Sequence, residues 1–433
     1  MIWEERVECA EAGALKDLQS RNLKETVRYV NENSPFYRKR FDELGVKPGS
    51  INDISDITRL PFTTKEDLRD NYPFGLFSVP LRSLAEIHVS SGTTGNPTVV
   101  GYTKDDLKLW SKVVARALCC AGANPGDLIQ VAYGYGLFTG GLGLHYGALE
   151  MGLVVIPASS GQTKRQLKLM EDFKPRILAS TPSYALYMAE EAAEMGMDTG
   201  KSSWEIGVFG AEPWSESIRK DLEASWKMTA LDIYGLSEII GPGVAQECSY
   251  KAGLHVFSDL FYPEVIDSAT GREAKEGDSG ELVITTLTKK GIPLIRYRTR
   301  DIVSIDHKKC RCGRTLPRIS KIKGRTDDMI IVRGINIFPS QIEHVLLSIE
   351  GVKPQYQIVV DRGQGKLDEI EIHVEVDQKI FSDEIKKMNI LEEKIRKEMA
   401  SVLGIFARVK LVEPRSLARS EGKASRVIDK RKT

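Results

Sequence analysis

From residue 85 to residue 212, short apolar runs alternate with amphipathic stretches of helical length. The apolar runs are AEIHVSS, DLIQVAYGYG, GLVVIPAS, RILAST and WEIGVFGAE, and the helical stretches include KDDLKLWSKVVARALCCAG, TKRQLKLMEDFKP and PSYALYMAEEAAEMG. A helix between two buried strands returns the chain to the same end of a sheet, which is the connection that parallel strands require. The alternation therefore predicts an α/β fold with mainly parallel, helix-covered sheets.

The segments on either side of this alternation predict further parts of the fold. Residues 1–75 have helical apolar spacing broken by turns, and beyond residue 255 the runs HVFSDLFYPEVID, GELVITTLT and DIVSIDH predict a β-rich subdomain. The last hundred residues mix short strands with two helices, which is typical of a small α+β domain. We therefore predict a large N-terminal domain (1–326) and a small mobile C-terminal domain (327–433), with a hinge near Asp327.

Composition excludes several classes of function. The chain has 433 residues and a formal net charge of +1, so no global field attracts nucleic acid or an anionic membrane. The first residues carry acidic side chains and no apolar core, unlike a signal peptide, which predicts a cytoplasmic protein with reduced cysteines. The partners expected are small molecules, with no nucleic acid and no membrane, and the sequence leaves open whether the chain forms a homodimer.

A loop rich in serine, threonine and glycine, SSGTTGNPTVVGYT, follows the apolar run AEIHV. Its glycines allow backbone conformations that residues with a Cβ resist, and its amides and hydroxyls could surround phosphate oxygens. It lacks the G-x-x-x-x-G-K-[ST] pattern of a Walker A loop. On composition alone, a plain turn is the alternative.

Two further strings could contact a nucleotide. In YGLSE, Tyr234 could offer a flat ring to a base, and Glu238 could hold the magnesium of ATP, because that ion prefers one or two carboxylates plus phosphate oxygens. In RYRTRDIV, the Asp301 carboxylate could accept both hydroxyls of a ribose. The alternatives are a core tyrosine, a surface glutamate, and an ion pair of Asp301 with Arg298 or Arg300.

The segment GYGLFTGGLGLHYGALE resembles a dinucleotide fingerprint, but Thr139 occupies its third glycine position. We therefore reject NAD as a cofactor. Tyr133, Tyr135 and Phe138 lie among glycines here and could form an aromatic pocket, although packing in the core explains them equally well.

Three cysteines and a histidine could bind zinc. Cys248, His255, Cys310 and Cys312 supply three thiolates and one imidazole, a donor set that suits tetrahedral zinc. His307 is the rival for the fourth position, and unrelated buried thiols are the alternative. Such a site would be structural, because no position is left for water.

The ordered motifs resemble those of the adenylate-forming acyl-CoA synthetases, and more narrowly those of phenylacetate-CoA ligases. The strings that carry the resemblance are SSGTTGNPTVVGYT, YGYGLFTGGLGLHYGA, GAEPW, DIYGLSEIIGPGVAQEC, YRTRD, GRTDDMIIVRGINIFPSQIE and SEGKASRVIDKR. The resemblance implies that ATP, Mg²⁺ and coenzyme A are used to activate an aryl acid, most simply phenylacetate, through an acyl-adenylate. The chain departs from the pattern of this family at Asn96, where the family's loop usually carries lysine.

The resemblance also implies roles for individual residues. Lys423 would contact the substrate carboxylate and the α-phosphate, Glu238 would hold magnesium, and Thr94 would act on the phosphates during catalysis. Gly235 would border the aryl acid together with Tyr133, Tyr135 and Phe138. The residues expected to bind the nucleotide are Ser90, Ser91, Gly92, Thr93, Thr94, Gly95, Gly210, Ala211, Glu212, Pro213, Asp232, Tyr234, Gly235, Ser237, Asp301, Arg325 and Lys423.

Two other functions remain open at this point. The first keeps adenylation but transfers the acyl group to a carrier-protein thiol instead of coenzyme A. The second is a non-catalytic nucleotide- or metabolite-binding protein, which the loss of lysine at Asn96 favours and the presence of Glu238, Asp301 and Lys423 opposes.

Overall fold

The computed structural model describes residues 1–90, 97–332, 335–362, 368–378, 380, 385–420 and 426–432. The chain divides into two compact units. The first comprises Met1–Ser180, Ser202–Ala211 and Met228–Ile322, and the second comprises Thr181–Lys201, Glu212–Lys227 and Lys323–Thr433. The domain boundary expected at residue 327 stays a prediction, because the second unit also takes in two earlier segments.

Helices are present in both units. In the described residues the α-helices are α1 (Glu5–Glu8), α2 (Ala12–Asn33), α3 (Pro35–Leu44), α4 (Lys65–Asp70), α5 (Lys104–Ala121), α6 (Thr139–Met151), α7 (Thr163–Phe173), α8 (Pro182–Glu194), α9 (Glu216–Trp226), α10 (Pro339–Leu347) and α11 (Ile385–Leu403). Short 3₁₀ helices occur at Pro48–Ser50, Ile54–Arg59, Leu81–Ser83, Thr199–Lys201 and Lys430–Lys432.

The strands are numbered in the same way. They are β1 (Leu84–Val89), β2 (Val99–Thr103), β3 (Leu128–Val131), β4 (Val154–Ile156), β5 (Ile177–Ser180), β6 (Ile206–Gly210), β7 (Thr229–Leu236), β8 (Gly241–Glu247), β9 (Leu254–Val256), β10 (Phe261–Ile266), β11 (Gly280–Thr286), β12 (Tyr297–Val303), β13 (Ile305–Asp306), β14 (Arg318–Ile319), β15 (Ile330–Val332), β16 (Ile335–Ile337), β17 (Val352–Arg362), β18 (Asp368–Val376), β19 (Arg408–Val412) and β20 (Val427–Asp429).

The central sheet of the first unit has nine strands in the order β13-β14-β9-β8-β7-β6-β5-β3-β4. Parallel pairing joins β4, β3, β5, β6 and β7, and antiparallel pairing continues from β7 through β8 to β13. The helix-covered parallel sheet predicted from the strand–helix alternation is therefore confirmed. Strands β10, β11 and β12 form a separate antiparallel sheet, as the β-rich composition beyond residue 255 predicted.

One strand was assigned to the wrong sheet by the alternation. The run AEIHV forms β1, which pairs with β2 as an antiparallel two-stranded hairpin, with Val89 opposite Val99. The physical reason is the length of the connection. Nine residues join the two strands, which suffices for a hairpin, whereas a parallel partner needs a crossover of a dozen or more.

Helix α5 begins directly after the β1–β2 hairpin and packs closely against α6. The Thr103 hydroxyl accepts from the Asp106 amide and the Asp106 carboxylate accepts from the Thr103 amide, so a capping box begins α5 directly after β2. On α6, a Cβ at Gly143 or Gly147 would lie 2.3 Å from Trp110 or Val114 respectively. The glycines of the GGLGLHYG string therefore serve close packing of two helices rather than a dinucleotide.

The second unit contains a four-stranded sheet in the order β19-β18-β17-β20, with an apolar core shared by that sheet, α10 and α11. The antiparallel pair β17 and β18 lies at the centre, and β19 and β20 pair with them in parallel. This matches the α+β character predicted for the end of the chain. Among the described residues, no helix combines the length and apolar composition needed to cross a bilayer.

Candidate active site and metal centre

The hairpin of β1 and β2 presents the loop that the sequence assigned to phosphate. At its base, the Ser90 amide donates to the Thr98 carbonyl at 2.9 Å, and the Ser90 hydroxyl accepts from the Thr98 amide at 3.0 Å. Ser90 therefore closes the base of the loop. The phosphate contacts expected of Ser91, Gly92, Thr93, Thr94 and Gly95, the substituted Asn96, and the contacts expected of Lys423 lie outside the described residues.

A second tight turn, between β7 and β8, carries Glu238. A Cβ at Gly235 would lie only 1.9 Å from the Gly241 carbonyl oxygen, so glycine is required for these strands to approach. The Ser237 hydroxyl lies 3.0 Å from the Thr139 hydroxyl at the start of α6. Glu238 as a whole residue is 7% exposed, its carboxylate makes no hydrogen bond or ion pair in the described part of the chain, and its charge interacts with the buried ammonium group of Lys289. A buried carboxylate of this kind is suited to a cation.

Tyr234 and Asp301, which lie 67 positions apart in the sequence, are brought together. The Tyr234 hydroxyl donates to the Asp301 carboxylate at 2.6 Å, and both residues are buried. Arg298 instead pairs with Glu281, and Arg300 pairs with Glu66. The two nucleotide candidates thus adjoin each other, and the neighbouring arginines have carboxylate partners of their own.

The GAEPW string lies at the end of β6. A Cβ at Gly210 would meet the Ile233 carbonyl oxygen of β7 at 2.3 Å, so these strands pass closely. Ala211 adopts a φ of +71°, a conformation that costs a residue with a Cβ about 1–2 kcal/mol. Asp232 is buried beside this strand end, and its amide donates to Glu247. Strained backbone of this kind is concentrated at binding sites.

In the second unit, the Glu212 carboxylate accepts from the Ser183 amide at 2.8 Å, which fixes the turn that continues into Pro213. The Arg325 guanidinium forms two hydrogen bonds to Asp327, at 2.9 and 3.1 Å. The residue expected at the ribose and the residue expected at the hinge are therefore ion-paired.

The aromatic residues near residue 135 are dispersed over different environments. Tyr133 is buried and lies against Gly140, whereas Phe138 is 53% exposed at the start of α6. The Tyr135 hydroxyl lies 3.2 Å from Nδ1 of His145, and burial raises the pKa of this tyrosine to about 12. Only Tyr135 and Phe138 thus offer an accessible aromatic surface.

The four residues predicted to bind zinc converge. One ligand atom from each of Cys248, His255, Cys310 and Cys312 lies within 4.8 Å of all the others. The two closest pairs are Cys248 Sγ with Cys310 Sγ at 3.8 Å and Cys312 Sγ with His255 Nε2 at 3.4 Å. Bonds of about 2.3 Å at tetrahedral angles place two sulfurs about 3.8 Å apart. His307 is exposed and lies outside this group, so the structure favours His255.

The thiols of this group differ in acidity. Burial raises the pKa of the Cys248 thiol to about 12. Burial also raises the pKa of Cys312, but hydrogen bonds from His255 and Arg314 outweigh it and lower this pKa to about 5. The surroundings of Cys312 therefore favour its thiolate, which is the form that a metal requires.

Comparison with known proteins identifies the fold and the chemistry together. A family model described as AMP-binding enzyme matches residues 41–288, and a model of the AMP-binding enzyme C-terminal domain matches residues 334–431. The phenylacetate-coenzyme A ligase of Thermus thermophilus is 49% identical over 446 aligned positions that cover 100% of both chains. The chain belongs to the phenylacetate-coenzyme A ligase family of AMP-binding enzymes.

Other members and structures agree with this membership. The phenylacetate-coenzyme A ligase of Escherichia coli is 47% identical and covers 98% of this chain and 97% of its own. A crystal structure of 2-hydroxyisobutyryl-CoA ligase with R3-HIB-AMP bound has a TM-score of 0.92 and 29% identity, covering 99% of this chain and 92% of that one. Members of this family are AMP-forming ligases, so the protein joins a carboxylic acid to coenzyme A through an acyl-adenylate with ATP. This excludes a non-catalytic binding protein and disfavours a carrier-protein acceptor.

Several residues of this phenylacetate-coenzyme A ligase family member were missed by the sequence patterns. Lys289 and Tyr102 contact the Glu238 turn, and burial lowers the pKa of Lys289 to about 8. Near the metal group, Arg314 donates to Glu8 at 2.6 Å and to Cys312 Sγ at 3.8 Å, which ties α1 to the cysteine turn. Lys289 lies in none of the motifs quoted above, and Tyr102 lies in SSGTTGNPTVVGYT without an assigned role, because the contacts of these residues depend on burial that the sequence does not display.

Proposed function

We propose that the acid activated by this protein is phenylacetate or a close aryl analogue. The observation that carries the proposal is the near-complete match to proteins named phenylacetate-coenzyme A ligases. The partly exposed rings of Tyr135 and Phe138 at the start of α6 support a flat substrate. A substrate carboxylate oxygen attacks the α-phosphorus of ATP and pyrophosphate leaves; the coenzyme A sulfur then attacks the acyl carbon and AMP leaves.

The residues support a division of labour in the first step. The reaction brings an anionic carboxylate to an anionic phosphate, so preorganised positive charge and fixed geometry lower its barrier. Magnesium, when bound, neutralises phosphate charge, and the buried Glu238 carboxylate is the group that would hold it. Asp301 would accept the ribose hydroxyls, with its orientation set by the Tyr234 hydroxyl.

In the second step, thioester formation, the coenzyme A thiol must reach the acyl carbon. We propose that residues after Asp327 rotate about this position, so that Lys423 serves adenylation and then leaves room for the coenzyme A thiol. The exposed ion pair between Arg325 and Asp327 is compatible with a hinge, because exposed pairs stabilise one geometry by at most about 1 kcal/mol.

Pyrophosphate release with a panel of aryl acids tests the proposed substrate. We expect release with ATP and magnesium to be fastest with phenylacetate, to increase when coenzyme A is added, and to be slower with benzoate and indoleacetate. Thioester formation is measured in the same samples. Faster turnover of another acid would contradict the assignment of phenylacetate, and pyrophosphate release that is indifferent to coenzyme A would point to a carrier-protein acceptor.

We also propose that Cys248, His255, Cys310 and Cys312 bind one structural zinc ion. Three thiolates and one imidazole are soft and borderline ligands that zinc prefers, and the distances between donors fit tetrahedral coordination. The zinc would join the end of β8, β9 and the turn after Cys310, whose Gly313 has a φ of +98°. It would stabilise the fold and take no part in the reaction.

Replacing Cys310 with serine tests the zinc site. We expect the protein to lose its zinc, about one ion per chain, and its melting temperature to fall by about 5–10 °C. Metal content is measured by plasma mass spectrometry and unfolding by calorimetry. Cys119→Ser is the matched control, because Cys119 is equally buried but lies outside the group. Equal effects of the two substitutions, with no zinc in the wild-type protein, would contradict the proposal.

A further inference from the structure

Two buried side chains, Lys289 and Tyr102, donate hydrogen bonds to the backbone of the turn that carries Glu238. Lys289 Nζ donates to the Glu238 carbonyl oxygen at 3.1 Å and to the Ile239 carbonyl oxygen at 2.7 Å. The Tyr102 hydroxyl donates to the Ile240 carbonyl oxygen at 3.1 Å, with the Ser237 carbonyl oxygen 3.4 Å away. Four consecutive carbonyls of the turn thus face an ammonium group and a phenol.

Burial of these two groups is unusual and costly. Tyr102 is fully buried and Lys289 is 1% exposed. Removing an ammonium group from water is unfavourable unless hydrogen bonds and charges compensate. Here the two carbonyls, the Tyr102 ring centroid 5.1 Å from Nζ, and the nearby carboxylates of Asp106 and Glu238 compensate. Well-packed apolar residues often stabilise such a site equally well, so stability alone does not account for this lysine.

Lys289 and Tyr102 are themselves held in place by their neighbours. The Asp106 carboxylate accepts from the amides of Lys290 and Gly291 at 2.7 and 2.8 Å, which anchors the segment next to Lys289. Trp110 stacks on Tyr102 at a centroid distance of 4.9 Å and donates from Nε1 to the Pro242 carbonyl. The turn therefore cannot shift without repacking α5.

Tyr102 also connects two parts of the candidate active site. It lies on β2, the strand that leaves the loop assigned to the triphosphate, and its hydroxyl contacts the turn of Glu238. A displacement of the turn would therefore alter the position of Glu238 relative to that strand. Since preorganised groups lose effect when misplaced by about 1 Å, such a connection bears directly on rate.

We propose that Lys289 and Tyr102 are positioning residues that hold the Glu238 turn in the geometry required for magnesium-bound ATP. The proposal rests on the assignment of Glu238 to magnesium made above. Lys289 contacts the backbone of the turn and acts through Glu238 rather than on the substrate.

The magnesium dependence of adenylation separates three roles for Lys289. Loss of a positioning residue weakens magnesium binding, so half-maximal activity requires more magnesium. If Lys289 acted only as a nearby positive charge, its removal would strengthen magnesium binding, because like charges repel. If it served only stability, the melting temperature would fall while the magnesium dependence stayed unchanged.

The experiment compares Lys289→Met with Lys290→Met at neutral pH. For Lys289→Met we expect the magnesium concentration at half-maximal pyrophosphate release to rise about tenfold and kcat to fall about 10- to 30-fold, with the KM of the acid changed less than about twofold. Lys290→Met is the matched control, because its side chain is exposed and lies on the Tyr29 ring, and we expect wild-type values. An unchanged or lowered magnesium midpoint for Lys289→Met would overturn the proposal.

A double mutant tests whether Lys289 acts through Glu238. Because Lys289 acts through Glu238, Lys289→Met should slow adenylation by less than about twofold when Glu238→Gln is already present. Independent, multiplied losses would overturn the proposal. If Glu238→Gln itself leaves the magnesium midpoint unchanged, the magnesium assignment of Glu238 fails and this inference fails with it. If Lys289→Met has the wild-type magnesium midpoint while Glu238→Gln has a raised one, the inference about Lys289 is overturned and the assignment of Glu238 to magnesium stands.

Tyr102→Phe keeps the test decisive if Lys289→Met fails to fold. This substitution retains the ring stacked on Trp110 and removes only the hydroxyl that contacts the turn. We expect the magnesium midpoint to rise about threefold, since one neutral hydrogen bond contributes less than a charged one. A wild-type midpoint in a folded Tyr102→Phe protein would overturn the role of Tyr102, and with it the shared support.

Discussion

Replacing Glu238 with glutamine is expected to slow acyl-adenylate formation about 100- to 1,000-fold. The glutamine keeps the volume of the side chain and one acceptor oxygen but replaces the other oxygen with an NH2 donor and removes the charge. Glu238 as a whole residue is 7% exposed, and its carboxylate makes no hydrogen bond or ion pair among the described residues, so it can bind magnesium although the charge of Lys289 lies near it. Magnesium titrations of pyrophosphate release should show a raised half-maximal concentration in addition to the lower rate.

Glu276→Gln is the control for this change, because Glu276 is exposed in the turn before β11. We expect its rate and magnesium dependence to match the wild type, and the melting temperature of Glu238→Gln to stay within a few degrees of it. Wild-type adenylation by Glu238→Gln would contradict the assignment of this residue to magnesium.

Replacing Lys423 with alanine is expected to reduce adenylation by a similar factor, about 100- to 1,000-fold, while leaving the second step nearly intact. A lysine provides a mobile point charge that can approach the carboxylate and α-phosphate during the first step and leave before the second. Synthetic acyl-adenylate, supplied with coenzyme A, should therefore be converted to thioester within about threefold of the wild-type rate. Rapid-quench assays of the two half-reactions measure this difference.

The basic composition around Lys423 makes a control necessary. Seven lysines and arginines lie between Arg415 and Lys432, and on composition alone they form a solvated tail. Lys430→Ala makes the same substitution at an exposed lysine of the 3₁₀ helix after β20 and should leave both half-reactions unchanged. Equal losses in both half-reactions of Lys423→Ala would indicate a structural effect and contradict the proposed role in adenylation.

Much of the fold could be predicted because its signals are local. The strands β3 to β7 are short apolar runs, and the helices between them follow an apolar period of 3.6 residues; both signals depend on neighbours within a few positions. The partner of β1 could not be predicted in the same way. Its run of apolar residues reads like the parallel strands, and only the pairing with β2 distinguishes it.

The candidate site also combines features that the sequence predicted with features that only the structure shows. Motifs proposed the residue types, but Tyr234 and Asp301 lie 67 positions apart on different strands, and only the folded structure shows that they hydrogen-bond. The choice of His255 over His307 required the position of β9 beside β14. Lys289 gave no signal, because two adjacent lysines look alike until one is buried and the other is exposed.

The amino-acid sequence by itself determined the α/β class and the family, and it proposed the chemical types of the candidate site residues. These properties depend on short-range periodicity and on ordered motifs, which are legible along the chain. The tertiary structure alone decided which predicted residues lie together, which histidine lies beside the three thiols, and which lysine donates to the carbonyls of the Glu238 turn. Those properties depend on distances and desolvation among residues that are remote in sequence, and only packing sets them.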